Sequence, residues 1–433
     1  MKRHFETRLL KWKNVQKPLP LMLIGARQTG KTYLLKHFLS ACFEDMLYIN
    51  FSENKEFVQF FQPTLHPNEI ISRMELFFNR KFTIEKTLFF FDEIQDCEEA
   101  IASLKYFAES EQHYRIVTAG SLLGVKINRM KTSFPVGKVR LEYLYPMDFE
   151  EFLWAIDENL LAEAIRHCYI ENKPLPEIVH QKALTLYRTY LCTGGMPAVV
   201  RQFIENEKSL VAFDIETTSN ILTGYLADMV KYAVKNNAVK IHQVYNSMPA
   251  QLAKANAKFM YKLVAAGGNK EKFESAIDWL IHANMLLPCV KVDLPQSPLS
   301  AYRIDNHFKL YLSDIGLLVS LSKIHFNEIM QPAAMIYRGF ITENYVAQTF
   351  RAKGIDLFYW ESGNQAEIDF ILNLQGAIIP VEVKSSNNVR SGSLQSYVNR
   401  YHPSYSIRIS TLNFGFSGEI KSVPLYAVHC IDV

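Results

Sequence analysis

The chain has 433 residues, which at roughly 100 to 200 residues per domain means about two to four domains and excludes a single small module. Apolar residues make up 48% and charged residues 21%, a globular balance that excludes wholesale disorder. Lys and Arg number 47 against 44 Asp and Glu, so the net charge of +3 is too small for the whole surface to attract a polyanion. Any basic surface must be local.

The six cysteines, at 42, 97, 168, 192, 289 and 430, show no CxxC spacing and no pairing with the 12 histidines of the kind a zinc site needs. That pattern suits a reducing compartment. The N-terminal MKRHFETRLLKWK is charged throughout, and no run of 18 or more apolar residues follows. The expectation is a cytoplasmic protein with no membrane contact. No 20- to 50-residue repeat and no Gly, Ser or Pro tract interrupts the chain, so domain limits must be read from changes of pattern.

From Leu19 to about Leu144 the runs LPLMLI, MLYINF, TLFFF, YRIVTA and KVRLEYL alternate with helical spacing. Runs apolar on both faces suit strands buried in a parallel sheet with helices on either side. Residues 1–145 therefore read as an α/β domain. Within it, Gly25-Ala26-Arg27-Gln28-Thr29-Gly30-Lys31-Thr32 fits G-x-x-x-x-G-K-[ST], directly after a strand pattern and directly before a helical one. Glycines let the backbone curl so that its N–H groups converge on phosphate oxygens, and the helix start adds its positive dipole end. Lys31 is expected to neutralise the β and γ phosphates, and Thr32 to place a hydroxyl on Mg²⁺. The ligands implied are ATP and Mg²⁺.

About sixty residues on, TLFFFDEIQ is an apolar strand that ends in two acids. Asp92 is expected to hold the magnesium through water, and Glu93 to polarise the water attacking the γ phosphate, which favours hydrolysis over binding alone. The strand patterns MLYINFSE, between the two motifs, and YRIVTAGSLLG, after them, fit the ATPase subclass in which an extra strand separates the phosphate loop from the acidic strand.

GARQTGKT, LFFFDEIQ, TAGSLLG, FPVGKVRLEYLYPMDFEEFL and TGGMPAVV, in that order, resemble a prokaryotic family of AAA-type ATPases that carries a C-terminal domain of unknown function. The resemblance runs over nearly the whole chain. It implies that Ser121 is a sensor-like polar residue near the γ phosphate; read from the residues alone, Ser121 is equally a helix N-cap. Where the family has Gly-Arg, the chain has Gly137-Lys138, so Arg129 and Arg140 stand as candidates for an arginine finger. A homo-oligomer in which a neighbouring subunit supplies the finger stays open.

From Pro146 the strand signals fade into helical spacing, giving a helical, lid-like region at 146–236 with a turn at Thr193-Gly-Gly-Met-Pro197 to which no chemistry is assigned. Between Lys231 and Lys272 stand eight lysines (231, 235, 240, 254, 258, 262, 270 and 272) against one acid, Glu271. Such a patch would attract a phosphate backbone, although most lysine runs are solvated helix faces. A helix carrying Lys254, Lys258 and Lys262 on one face, then a helix and short strand in FESAIDWLIHANMLLPCVKV, suggest a winged helix at 237–330. The partner implied is double-stranded DNA, held by phosphate contacts, since the patch has no Arg to read guanine.

Residues 331–433 open with the helix pattern RGFITENYVAQTFRAK, followed by FYWESG, AEIDFILN and AIIPVEVKSS. Strand alternation puts Glu382 and Lys384 on one face, and Asp369 lies in the neighbouring strand. Asp369 and Glu382 could hold Mg²⁺ while Lys384 activates a water, with Glu343 a further carboxylate. D-x12-E-x-K after a helical Glu resembles the restriction-endonuclease-like fold, with Gln395 and Tyr397 as accessory residues. The expectation is an α/β protein: a P-loop ATPase domain, a helical and winged-helix middle, and a C-terminal restriction-endonuclease-like domain with a Mg²⁺-dependent nuclease site. The alternative is a nucleotide-controlled signalling or scaffold protein whose nuclease-like domain is inert.

Overall fold

The computed structural model describes residues 1–121, 134–212, 216–232, 237–254, 257–331, 338–363, 366–385 and 392–432. The chain forms two compact units. One comprises Lys2–Tyr145 with His282–Asn284, the other Met1, Pro146–Ile281 and Met285–Val433.

In the N-terminal unit five strands, β1 (Leu21–Ile24), β2 (Asp45–Asn50), β3 (Thr87–Asp92), β4 (Arg115–Gly120) and β5 (Arg140–Tyr143), form a sheet in the order β2-β3-β4-β1-β5. Every neighbouring pair is parallel. All five strand runs of the sequence are present, and β4 lies between β1 and the acidic strand β3. Alternation explains why continuous apolar runs are needed here. Met22, Ile24, Phe89 and Phe91 join one core with Ile70, Met74, Ile101 and Leu104 from the helices Pro67–Phe78 and Glu98–Glu109. Leu21, Leu23, Leu88 and Phe90 join a second core with Leu9 and Trp12 of the helix Phe5–Lys13 and with Leu34, Leu35 and Leu39. Both faces are covered, so every β3 side chain is buried, Asp92 included.

The other unit carries helices and one eight-stranded mixed sheet. Its strands are β6 (Leu286–Val292), β7 (Arg303–Leu312), β8 (Leu357–Ser362), β9 (Ala366–Leu374), β10 (Ala377–Val383), β11 (Ser406–Ser410), β12 (Gly415–Ser417) and β13 (Ile420–Pro424), in the order β12-β13-β11-β10-β9-β8-β6-β7. The antiparallel hairpin β6–β7 follows the helices Ala238–Leu252, Tyr261–Val264 and Lys270–His282, and β6 then pairs in parallel with β8. One sheet thus runs across position 330, where the pattern of the sequence changes.

The predicted single helix bearing Lys254, Lys258 and Lys262 is not formed. The helix stops at Leu252, Ala257 takes a left-handed φ of 48°, and Lys262 stands in the separate short helix Tyr261–Val264. The cause is local competition for backbone groups. Gln251 accepts from Met260 N at 2.8 Å and donates to Met260 O at 3.0 Å, turning the chain back on itself. Lys258 forms an antiparallel bridge to Lys309 and places its ammonium on Glu361, which also takes Lys291 at 2.9 Å.

The Gly-Gly turn at 194–195 is a packing junction. Asp314 caps the helix Ile315–Leu321 by accepting from Leu317 N at 3.0 Å, and its other oxygen accepts from Gly195 N at 2.7 Å. Side chains are excluded there: a Cβ on Gly195 would meet Met147 O at 2.0 Å, and Gly194 has φ +68°. None of the six cysteines is in a disulfide, and among the described residues no helix is long and apolar enough to cross a membrane.

Candidate functional site

The phosphate-loop sequence leaves β1 at Ile24 and enters a helix at Lys31 that continues into a π-helical stretch, Leu34–Leu39. Two left-handed residues, Gln28 at φ 62° and Gly30 at φ 92°, curl the segment. Gly25 packs so tightly that a Cβ would stand 2.3 Å from Leu144 O. Carbonyl oxygens, which repel phosphate, are held by protein donors. Lys31 Nζ donates to Gly25 O and Ala26 O, both at 2.8 Å, Thr29 Oγ1 donates to Ala26 O at 3.0 Å, and Arg3 donates to Thr29 O at 3.0 Å. Arg27 adds a positive charge beside Lys31. Burial pulls the Lys31 ammonium down to about 8, against the upward pull of Glu93 and Asp92.

Register brings the acids to this loop. Thr32 Oγ1 donates to Asp92 Oδ2 at 2.9 Å, so a hydroxyl and a carboxylate, both hard oxygen donors, meet at the helix start. That donor set fits Mg²⁺. Burial raises Asp92 above the ordinary carboxylate range. Glu93 sits directly after β3 with a left-handed φ of 49°, a conformation a non-glycine residue holds only where its surroundings enforce it. Gln95 Nε2 donates to Glu93 Oε2 and holds the carboxylate. Ser121, next after β4, is buried, and its Oγ has no hydrogen-bond partner among the described residues. Arg140 bonds Glu142 through Nε and Nη2, at 2.8 and 2.7 Å, and Lys138 pairs with Glu109 at 2.9 Å. Arg129 lies outside the described residues.

Two neighbours of Asp92 were missed in the sequence. Tyr48 Oη donates to Asp92 Oδ2 at 3.0 Å, and Asn50, paired in register with Asp92, donates through Nδ2 to Tyr48 Oη at 3.3 Å. The available signal was a tyrosine and an asparagine two apart, on one face of the strand. Arg3 was missed as well, and a lone arginine near a terminus carries no such signal.

In the C-terminal unit, Glu343 and Asp369 are brought together, but around a residue from elsewhere. Lys309, on β7, places Nζ 2.8 Å from Glu343 Oε1 and 2.7 Å from Glu367 Oε1, with only 2% of its side chain exposed. Tyr311 Oη donates to Glu343 Oε1. Burial alone would depress Lys309, yet Glu343, Glu367 and Asp369 raise it well above its ordinary value. Asp369, pushed up to about 7 by burial and then by Glu343, accepts from Val383 N at 2.7 Å.

Glu382 and Lys384 pair with each other at 3.0 Å. Strand alternation places them on the face of β10 where Ile378 packs against Leu394 and Tyr397, so Tyr397 is a core residue. Phe370 and its partner Val381 face Phe350, on the helix Arg338–Ala352 that carries Glu343. The largest charge effects on Asp369 come from Glu343, Lys309 and Glu367, while Val383, between Glu382 and Lys384, donates its N–H to it. Gln395 donates to Asn399 at 2.9 Å, within its own helix. Among the described residues no three His, Cys, Asp or Glu side chains are grouped so that they could hold a metal ion.

Residues 17–153 match the family model described as AAA domain. The N-terminal unit, with its phosphate-loop sequence and acid-tipped strand β3, is thus the part of the chain that is similar to AAA domains. Residues 184–328 and 338–428 match two further families, each described as a domain of unknown function (DUF8612 and DUF4143). Comparison with curated proteins gives no match. Among solved structures, the chain is similar to a Walker-type ATPase of Pyrococcus abyssi, with 17% identity, 74% of this chain and 95% of that chain covered, and a TM-score of 0.42. The ORC2 protein of Aeropyrum pernix shows 12% identity, 76% and 91% coverage and a TM-score of 0.36. Drosophila ORC, solved bound to DNA, shows 13%, 73%, 93% and 0.30.

Proposed function

We propose that the chain binds ATP with Mg²⁺ and hydrolyses it. The observation that carries this reading is the contact of Thr32 with Asp92 beside Lys31, with Glu93 next in the chain. In this reading Lys31 exchanges its two carbonyl acceptors for phosphate oxygens, while Thr32 and Asp92 hold Mg²⁺, which offsets charge on the phosphates when bound. Glu93, fixed by Gln95, accepts a proton from the attacking water, and Ser121 lies near the γ phosphate. Lys31→Ala should abolish nucleotide binding or turnover. Glu93→Gln should retain binding and lower turnover by about 100- to 10,000-fold, the range of a lost general base. Unchanged turnover in Glu93→Gln would remove that assignment.

The chain is read in four parts, at 1–145, 146–236, 237–330 and 331–433, with the third a winged helix and the fourth restriction-endonuclease-like. Contact with double-stranded DNA is supported by the exposed Lys254, Lys262 and Lys272, though Lys258 is engaged by Glu361. Binding to DNA-cellulose that falls steeply with salt would support it, because counterion release produces that slope.

For the C-terminal domain, one observation favours the second reading, a nucleotide-controlled scaffold with an inert nuclease-like fold. The cation among its carboxylates is the ammonium of Lys309. Plasmid nicking in Mg²⁺ or Mn²⁺, lost in Asp369→Ala and Lys384→Ala without change in ATPase rate, would reverse that preference.

A further inference from the structure

The hydrogen bonds around Asp92 have a fixed direction. Asn50 Oδ1 accepts from Ser52 N at 2.9 Å and Glu53 N at 3.1 Å, which sets the orientation of its amide. Its Nδ2 must then point the other way, where it donates to Tyr48 Oη at 3.3 Å. A phenol has a single proton, and with Asn50 donating to its oxygen that proton is directed to Asp92 Oδ2, 3.0 Å away. Asp92 Oδ2 also accepts from Thr32, and Oδ1 accepts from Glu93 N at 3.0 Å. The Tyr48 ring is held independently of its hydroxyl, by packing against Phe90 and by Lys36 Nζ, 4.1 Å from the ring centroid.

We propose that Tyr48 and Asn50 are positioning residues that turn the Asp92 carboxylate toward Thr32 and so set the affinity for the divalent ion that accompanies the nucleotide. This rests on the nucleotide site proposed above. Loss of an outer partner of a metal-binding carboxylate typically weakens metal affinity about 10- to 100-fold.

The test is nucleotide binding by the full chain, followed with a fluorescent ADP analogue and titrated with Mg²⁺, alongside Mn²⁺ affinity by electron paramagnetic resonance. Tyr48→Phe keeps the ring and its packing. It should need about tenfold more divalent ion while binding nucleotide in EDTA as the wild type does. Asn50→Asp supplies a carboxylate that accepts the Tyr48 proton and draws it from Asp92, so it should reproduce the Tyr48→Phe effect with the phenol still present. A residue that merely supported the fold would shift the melting temperature and both binding modes together. Divalent-ion affinity equal to wild type in Tyr48→Phe would overturn the proposal and leave the nucleotide site standing. A wild-type chain that fails to bind the analogue both in Mg²⁺ and in EDTA would overturn the site, and the proposal with it.

Discussion

Replacing Lys309 by Met removes an ammonium that contacts Glu343 and Glu367 at 2.8 and 2.7 Å and is 2% exposed. Methionine roughly preserves the length of the aliphatic stem, so the main loss is charge. Removing one partner of a buried ion pair typically lowers stability by about 3–5 kcal/mol, because the other charge is left uncompensated. Two carboxylates lose their partner here, although Glu343 keeps the Tyr311 hydroxyl, so about 4–5 kcal/mol is expected. For a unit of roughly 290 residues, an unfolding entropy of about 2.1 cal/mol/K per residue gives about 0.6 kcal/mol/K, and the melting temperature should fall by about 7 °C.

The assay is differential scanning calorimetry of the full chain without nucleotide. The triple variant Lys309→Met, Glu343→Gln, Glu367→Gln should recover most of the loss, since a neutral cluster leaves no buried charge unpaired. Mn²⁺ should raise the melting temperature of Lys309→Met, whose carboxylates lack a cation, and leave the wild type unmoved. A Lys309→Met chain that melts with the wild type would refute the ion-pair reasoning. Wild-type stabilisation by Mn²⁺ that disappears in Asp369→Asn would show that the cluster takes a metal after all.

Burial raises Asp314 from 3.8 to about 6, although three backbone N–H groups act against the shift. The folded state therefore holds this proton more tightly than the unfolded state does. The stabilisation is full below pH 3.8 and is lost as pH rises toward 6, amounting to roughly 2 kcal/mol between pH 4.5 and 7. Urea unfolding across that range should show the slope in the wild type and not in Asp314→Asn; parallel curves would refute it. For Lys31, held down to about 8, raising the pH removes the ammonium proposed above to meet phosphate. ATP affinity by calorimetry should fall about tenfold from pH 7 to pH 9, and Lys31→Arg should flatten that dependence. An unchanged wild-type affinity would remove Lys31 from the charge balance of the site.

The phosphate loop was legible because its chemistry is contiguous: eight residues carry the curl, the ammonium and the hydroxyl, and the flanking periodicity supplies strand and helix. The buried strands β1, β3 and β4 were legible for a related reason, since a sheet covered on both faces cannot tolerate polar runs. Legibility ended where partners are distant in the chain. Nothing local in LYIN says that Tyr48 meets Asp92, 44 residues on, and nothing in FKLYL says that Lys309 enters a carboxylate cluster opened by Glu343, 34 residues later. The lysine helix failed for the opposite reason. Four-residue spacing was present, but a single amide at Gln251 captured the backbone of Met260 and ended the helix first. The Gly-Gly turn was placed correctly, while its burial against Met147 and Asp314 depends on segments far from it in the chain.

The pairing of β6 with β8 crosses the limit of the family match at 338–428, because β6 lies outside that match. A break near 330 would separate Lys309 from Glu343 and strip β8 of a neighbour, leaving a raw sheet edge on one fragment and an orphaned hairpin on the other. The C-terminal segment therefore depends on the hairpin both for a strand neighbour and for the cation of its carboxylate cluster.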